Sequence, residues 1–327
     1  MHNNDSRKIL QEVTAIIVTY NRRELLCQCL ASISQQSHPV RNVIVVDNAS
    51  IDNSESYIRA KGWFEKLNLQ WLRLPENEGG AGGFHNGLKA SLSSGCQFVW
   101  LMDDDGHPEK DCLEKLLDNI AFNEIIGPIV LNTADTSELS FPFRKPRTKH
   151  VLNTTEEIQK LYGSVCNNIL FPFNGTLLSI ETIKKIGLPK KEYFIWGDEI
   201  EYTLRAKRFG TSVRTINSAK FYHPKSTSTS MFFGLMKFTD GGSDLKRYCF
   251  VRNNLRNMLD YSGLLCSLAF LAKVFWFYSF TRPNLRNLKI ALLGTYDCLF
   301  QNFSRHKNFI NTPSNIINAQ NNLKINP

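Results

Sequence analysis

Between residues 13 and 131, short apolar runs rich in Val and Ile alternate with amphipathic stretches, and no other feature of the chain constrains its fold as strongly. Val13–Thr19 (VTAIIVT), Asn42–Asp47 (NVIVVD), Leu69–Leu74, Gln97–Met102 (QFVWLM) and Ile125–Leu131 are too short for most helices. They are also too continuously apolar for strands with one wet face. They read as strands buried on both sides. Between them, Asn21–Gln35 places Leu25, Leu26, Cys29, Leu30 and Ile33 on one stripe, and Asp52–Phe64, Phe84–Ser93 and Pro108–Phe122 also read as helices. This strict β-α-β-α order predicts an α/β fold, a parallel sheet flanked by helices. Ligands of such sheets bind beyond the carboxyl ends of the strands. The polar clusters Tyr20-Asn21, Asp47-Asn48, Glu76–Gly83 and Asp103–Asp105 all fall at such ends.

Beyond residue 131 the pattern changes. Residues 132–165, with Pro142 and Pro146, are polar and poorly periodic and read as a loop region near the site. Phe171–Ile180 suggests a strand with a turn, Gly197–Gly210 a helix ended by glycine, and Thr211–Ile216 and Lys220–His223 two short strands. From Leu245 onward the pattern is helical. Charge marks the same boundary. The chain has 39 Lys plus Arg against 30 Asp plus Glu, net +9, yet residues 1–244 are balanced and residues 245–327 hold 11 basic side chains against Asp260 and Asp297. The chain therefore divides into a neutral body, residues 1–244, and a basic helical C-terminal region, residues 245–327. A surplus so placed argues against a nucleic-acid partner, which would leave the acidic clusters of the body unexplained. Within the basic region, Leu264–Phe280 is 17 mostly apolar residues. As a helix it spans about 25 Å, short of the roughly 30 Å hydrocarbon core, and Lys273 interrupts it. With Arg252, Arg256, Arg282, Arg286 and Lys289 around it, residues 245–300 suit an anionic membrane surface, or alternatively a core or oligomer contact. The eight Cys form no CxxC pair and read as buried thiols of a reducing compartment, and the polar N-terminal stretch shows no apolar signal segment.

Three clusters carry chemistry. Asp103-Asp104-Asp105 ends a buried strand. Three adjacent carboxylates repel one another unless a cation relieves them, and hard divalent cations with oxygen ligands suit such a group. Strand alternation turns Asp103 and Asp105 to one side and Asp104 to the other; a solvated acidic loop is the simpler alternative. The stretch from Asn77 to Gly83 (NEGGAGG) reads as a glycine loop able to approach a ligand closely. It follows the third strand rather than the first and lacks the Lys of a P-loop. Asp198-Glu199 stands at a helix N-terminus, where carboxylates are favoured in any case. Either could act as a general base, and the neighbouring Trp196 suits stacking on a sugar ring. Glu201 and Arg205, spaced i, i+4, read as an ordinary surface pair. His223 closes a predicted strand and could complete a metal site.

Taken in order, TAIIVTYNR, VVDNAS, NEGGAGGF, WLMDDD, WGDEIEYTLR and FYHP resemble the inverting family 2 glycosyltransferases of the GT-A fold, over about residues 13–224, and most of all the bacterial galactofuranosyltransferases. The resemblance implies a Rossmann-like, mostly parallel sheet with a C-terminal helical extension. It implies that Thr19, Tyr20, Asn21 and Asp47 line the base and ribose pocket of a nucleotide-sugar donor, with Asn77, Gly79, Gly80, Gly83, Asp103 and Asp104 also on the donor side. It places a divalent metal, Mn²⁺ or Mg²⁺, on Asp103, Asp105 and His223. Glu199 takes the place of the base, with Asp198 as its alternative, and Trp196, Asn174 and Gly175 face the acceptor. The donor expected is a UDP-sugar, UDP-galactofuranose, rather than dTDP-rhamnose. The acceptor is a glycan or lipid-linked glycan of a cell-surface polysaccharide, and the location cytoplasmic, on the inner face of the cell membrane. A nucleotidyltransferase making the sugar nucleotide is the competing class, but TYNRREL lacks the glycines such an enzyme usually carries after its first strand.

Overall fold

The computed structural model describes residues 11–121, 123–144, 148, 150–170, 173–225, 229–233, 236–240 and 242–310. The polar N-terminal stretch, Phe122, Pro146, Phe171 and Lys324 lie outside the described residues. The strands are β1 (Val13–Thr19), β2 (Asn42–Asp47), β3 (Leu69–Arg73), β4 (Phe98–Asp103), β5 (His107–Pro108), β6 (Glu124–Asn132), β7 (Glu138–Arg144), β8 (Val151–Thr154), β9 (Val165–Asn167), β10 (Thr176–Ser179), β11 (Ser212–His223), β12 (Thr229–Phe233) and β13 (Met236–Asp240). The helices are α1 (Arg23–Ser34), α2 (Ser54–Ala60), α3 (Trp63–Lys66), α4 (Gly79–Ser91), α5 (Cys112–Leu117), α6 (Thr155–Tyr162), α7 (Ile180–Ile186), α8 (Asp198–Arg208), α9 (Asp244–Tyr261), α10 (Leu264–Trp276), α11 (Leu285–Leu299) and α12 (Lys307–Ile310).

The main sheet runs β3-β2-β1-β4-β10-β6-β11-β5. β1, β2, β3 and β4 are parallel, as are β6 and β11. The alternation of β1 explains why: Val13, Ala15 and Ile17 pack with α1 residues Leu26 and Leu30 on one face, and Ile16 and Val18 pack with Phe84 and Leu88 of α4 on the other. Each buried Val, Ile, Leu or Phe side chain among these stabilises the fold by roughly 1.5–3 kcal/mol, so both faces need a helical cover. Strand order reverses between β1 and β4, and this topological switch opens a crevice at their carboxyl ends.

Several elements differ from the sequence reading. β10 is antiparallel to both neighbours. The chain re-enters the sheet from the crevice end after its excursion through 132–170, and this sets Asn174 and Gly175 beside the end of β4. That excursion is not a loop. β7 pairs with β6 and β8, and α6 is closed by a capping box in which Thr154 accepts from the Glu157 amide and Glu157 accepts from Thr154. The helix expected over Asp52–Phe64 breaks into α2 and α3 at Gly62, which sits at φ 75°. Pro108 lies in β5 rather than opening a helix, and α5 covers only Cys112–Leu117. The two short strands after residue 211 are one, β11, with a register shift between Ile216 and Lys220.

The glycine stretch is the start of α4, not a loop. A Cβ on Gly83 would lie 2.4 Å from Val18 Cγ1, and one on Gly87 2.4 Å from Ile16 Cγ2, so these glycines let α4 lie against β1. A Cβ on Gly80 meets nothing within 4 Å. The C-terminal helices bury their own core of Val251, Leu255, Phe270, Val274, Phe277 and Ala291. Leu264–Thr281 (α10 and the π-helical turn after it) is long and apolar enough to cross a membrane by length and composition, and 28% of it is buried. All eight cysteines are free; six are buried, Cys27 is half-buried and Cys266 is exposed on α10, where burial had been expected.

Candidate active site

β1 and β4 deliver Thr19 and the acidic triplet to the same edge of the crevice. The Thr19 hydroxyl donates to Asp104 Oδ2 at 2.8 Å, and Arg22, in the turn after β1, donates to Asp104 Oδ1 at 3.2 Å and Asp105 Oδ2 at 2.9 Å. Asp104 is thereby buried among its own partners. Asp103 and Asp105 turn the other way, toward His223 at the end of β11, and one ligand atom from each of the three lies within 4.8 Å of the others. His223 Nδ1 is 2.6 Å from the Pro224 carbonyl. With Nδ1 donating there, Nε2 presents its lone pair to Asp105 Oδ1, 3.1 Å away. Two acceptors facing each other at that distance need a shared proton or a cation between them.

The electrostatics agree. Burial, reinforced by Asp105, pushes the Asp103 carboxyl up to about 8. Burial outweighs Arg22 at Asp104, which is pushed up to about 6. Burial also opposes ionisation of Asp105, but the bond and charge of His223, with Arg22, pull it down to about 2. The bond to Asp105 raises His223 against the effect of its burial. The desolvated Asp103 carboxyl is short of positive charge, while Asp105 draws on His223 and Arg22, and the two-carboxylate, one-imidazole donor set fits a divalent cation of the Mn²⁺ or Mg²⁺ type.

A cavity of about 660 Å³ opens beside the cluster, and Asp103, His223, Asn174, Trp196, Gly197 and Glu199 all line it. α8 begins at this cavity. Its approach is contorted: Phe194, Trp196 and Gly197 have φ of 67°, 63° and 95°. The turn sets Asp198 and Glu199 in the first turn of α8, with Asp198 buried and Glu199 on the cavity wall. Burial, then the neighbouring Glu199, pushes Asp198 well above the carboxylate range; burial also raises Glu199. Asp198 Oδ1 and Asn174 Oδ1 are buried and have no hydrogen-bond partner. Trp196 meets the Phe250 ring edge-on at 5.8 Å.

The remaining residues singled out in the sequence lie outside this cavity. Tyr20 is exposed at the end of β1. Asn21 ties β1 to the loop after β2: its amide donates to Ser50 Oγ at 2.9 Å and its side chain accepts from the Ile51 amide at 2.7 Å. Asp47 is fully buried, bonded by the Ser50 amide and paired with Arg73 at 2.7 Å. Asn77 accepts from the Gly79 amide at 2.8 Å. Gly175 donates its amide to the Leu101 carbonyl and accepts from Trp100 Nε1, both at 2.9 Å. Glu201 is not the surface residue expected. It is fully buried, 2.9 Å from Arg205 and 2.7 Å from the Tyr261 hydroxyl, because the face of α8 that carries it packs under α9. Sequence reasoning missed Arg22 and Arg73. The position of Arg22 directly after Tyr20-Asn21 at a strand end was the available signal.

A mostly parallel sheet with an acidic strand end at its switch point, facing a carboxylate-bearing helix across one cavity, is the GT-A architecture. The solved structures agree on the fold: S. aureus TarS 1–349 in complex with UDP-GlcNAc has a TM-score of 0.54 at 17% identity over 88% of this chain and 81% of its own. GalNAc-T7 with UDP, GalNAc and Mn²⁺ has a TM-score of 0.56 at 13% identity over 95% of this chain and 58% of its own. The chain belongs to glycosyl transferase family 2. The family's model matches residues 14–173. The galactofuranosyltransferase GlfT1 of Mycobacterium tuberculosis is 31% identical over 85% of this chain and 92% of its own length. GlfT1 of Mycolicibacterium smegmatis is 29% identical over 85% and 93%, and the dTDP-rhamnosyl transferase RfbF of Shigella flexneri is 27% identical over 74% and 78%.

Proposed function

We propose that this glycosyltransferase moves galactofuranose from UDP-galactofuranose to a hydroxyl of a glycan or lipid-linked glycan acceptor, with inversion and with a divalent metal. The observation that carries the reading is the placement of Asp103, His223 and Glu199 on one cavity wall. The choice of sugar rests on the two relatives named as galactofuranosyltransferases, which align with 85% of this chain; the relative named as a dTDP-rhamnosyl transferase supports dTDP-rhamnose as the second reading.

In this reading Thr19, Tyr20, Asn21 and Asp47 border the base and ribose, at the carboxyl ends of β1 and β2. Asn77, Gly79, Gly80, Gly83, Asp103 and Asp104 stand on the donor side, Gly80 having open space beside it. Asp103, Asp105 and His223 would hold the metal, which when bound supplies positive charge to the departing diphosphate. Glu199 takes the proton of the acceptor hydroxyl, with Asp198 held protonated beside it. The acceptor oxygen bonds to the anomeric carbon from the face opposite the diphosphate, the bond from that carbon to the diphosphate oxygen breaks, and UDP leaves with the electron pair. Trp196, Asn174 and Gly175 border the acceptor. Screening donors by nucleotide release in the presence of acceptor tests this: UDP-galactofuranose should be consumed and dTDP-rhamnose should not. The reverse preference would establish the second reading.

The enzyme works at an anionic membrane surface, facing the cytoplasm, and a lipid-linked acceptor would be presented there. Ten of the sixteen large hydrophobic side chains exposed among the described residues lie between Leu264 and Phe300, Leu265 and Leu285 at 83% and 85% exposure. Arg282, Arg286 and Lys289 are exposed beside them, and the one carboxylate in residues 262–310, Asp297, is fully buried against Arg305. An exposed apolar surface flanked by Arg282 and Lys289, with Arg286 shared with Asp244 at 2.5 Å, attracts anionic headgroups. Flotation with vesicles containing anionic lipid, lost in neutral vesicles, is the expected result; equal recovery in both would remove the electrostatic part.

A further inference from the structure

The C-terminal region reads from its sequence as an appendage to the catalytic body. Its first helix, however, supplies one wall of the active site. Lys246, Phe250, Asn253, Asn257 and Tyr261 recur every three or four residues along α9 and so share one face. Phe250 and Asn254 line the cavity. Lys246 Nζ lies 6.0 Å from the Trp196 ring centroid, and Phe250 meets the same ring edge-on.

The centre of that face is polar, which a helix packed only for stability would avoid. Asn253 is fully buried. Its Nδ2 lies within hydrogen-bond distance of three backbone carbonyls, those of Tyr193 at 2.9 Å, Ile195 at 3.0 Å and Trp196 at 2.7 Å. Arg252 Nε donates to Asn253 Oδ1 at 2.9 Å and so fixes which edge of the amide faces the turn. One helical turn later, Asn257 Nδ2 donates to the Gly197 carbonyl at 2.8 Å, and its Oδ1 accepts from the Tyr193 hydroxyl at 2.8 Å. These carbonyls belong to the turn whose Phe194, Trp196 and Gly197 stand at positive φ. Two of these are bulky aromatic residues, for which that conformation is costly and persists only when the surroundings impose it. The Gly197 position is also closed: a Cβ there would lie 3.1 Å from Asn253 Cβ.

We infer that Asn253 and Asn257 are positioning residues for sugar transfer: they hold the 193–197 turn in its strained form, and through it place Trp196 and the Asp198-Glu199 pair. This rests on the proposed function above. Neither side chain touches the Asp103, Asp105 and His223 cluster, and neither bonds the Phe194 carbonyl that meets the Ala81 amide of α4, so removing one should misplace the base and the stacking ring far more than it weakens donor binding.

The test measures UDP binding with Mn²⁺ by calorimetry, and transfer from UDP-galactofuranose, for wild type, Asn253→Ala and the milder Asn257→Ala. The expected result is UDP affinity and donor KM close to wild type in at least Asn257→Ala, with kcat lower by about 100-fold, the scale of a 1 Å misplacement. Wild-type kcat in both variants would overturn the inference. So would a loss of UDP binding in both in parallel with activity, which would make the asparagines simply structural. Wild-type protein that transfers no galactofuranose would instead sink the functional reading, before any variant is compared.

Discussion

The Thr19 hydroxyl donates to Asp104 Oδ2 across 2.8 Å, and this bond divides the acidic triplet. With Arg22 it keeps Asp104 as a buried internal carboxylate at the β1–β4 junction, so that Asp103 and Asp105 are left to face His223. Thr19→Val keeps the shape and removes the donor. It should lower stability by about 1–3 kcal/mol, the penalty for a buried acceptor left short of a partner, readable as a lower thermal midpoint. An unchanged midpoint would mean that Arg22 alone satisfies Asp104.

Glu199 is raised above its ordinary value of 4.5 by burial. As a base it must be ionised, so transfer should rise with pH through that elevated pKa and the acid limb of kcat/KM should lie above the usual carboxylate range. Glu199→Gln should lower kcat by about 10²- to 10⁴-fold. The stability sign is opposite. A carboxyl whose folded pKa exceeds its unfolded one costs nothing below the unfolded pKa and destabilises as pH rises through the folded one. Glu199→Gln should therefore melt higher than wild type at neutral pH while being far less active. A variant that melts lower and transfers normally would contradict both roles.

A cation bound between Asp103, Asp105 and His223 stabilises the folded state by mass action. Mn²⁺ at about 100 times its dissociation constant should add about 2.7 kcal/mol, seen as a rise in melting temperature that chelation reverses. Asp105→Ala should abolish the rise. A Mn²⁺ shift that persists in Asp105→Ala would place the ion elsewhere.

The glycines of α4 should separate by role. Gly83→Ala drives a methyl into Val18 Cγ1 at 2.4 Å, and overpacking of this kind costs about 1–3 kcal/mol. Gly80→Ala meets nothing within 4 Å and gains helix propensity of up to about 1 kcal/mol. If Gly80 borders the donor, its alanine variant will be no less stable than wild type and yet show a raised donor KM; thermal melts and donor titrations on the two variants read this directly.

The parallel half of the sheet was legible because β1, β2 and β4 are buried on both faces, and such strands write themselves as unbroken apolar runs. β7, β8 and α6 were not, since each buries only part of its surface and its sequence stays polar: α6 buries Ile158 alone. The register shift after Ile216 made one strand look like two. Within the site, Asp103, Asp105 and His223 were legible by residue type and order. Asn253 and Asn257 were not. Their partners lie about 60 positions away in the chain, and an asparagine inside a helix carries no mark of what its amide holds. Glu201 was misjudged for the same reason, since i, i+4 spacing describes a helix face but not what covers it.

The most direct measurement is galactofuranose transfer itself. UDP release from UDP-galactofuranose is followed with a glycan acceptor, with Mn²⁺ and again with excess chelator, and the anomeric configuration of the product is read by NMR. The account predicts metal-dependent UDP release, a product of inverted configuration, and loss of both in Asp105→Ala and Glu199→Gln. Transfer at full rate in chelator, or a product retaining the donor's configuration, would contradict it.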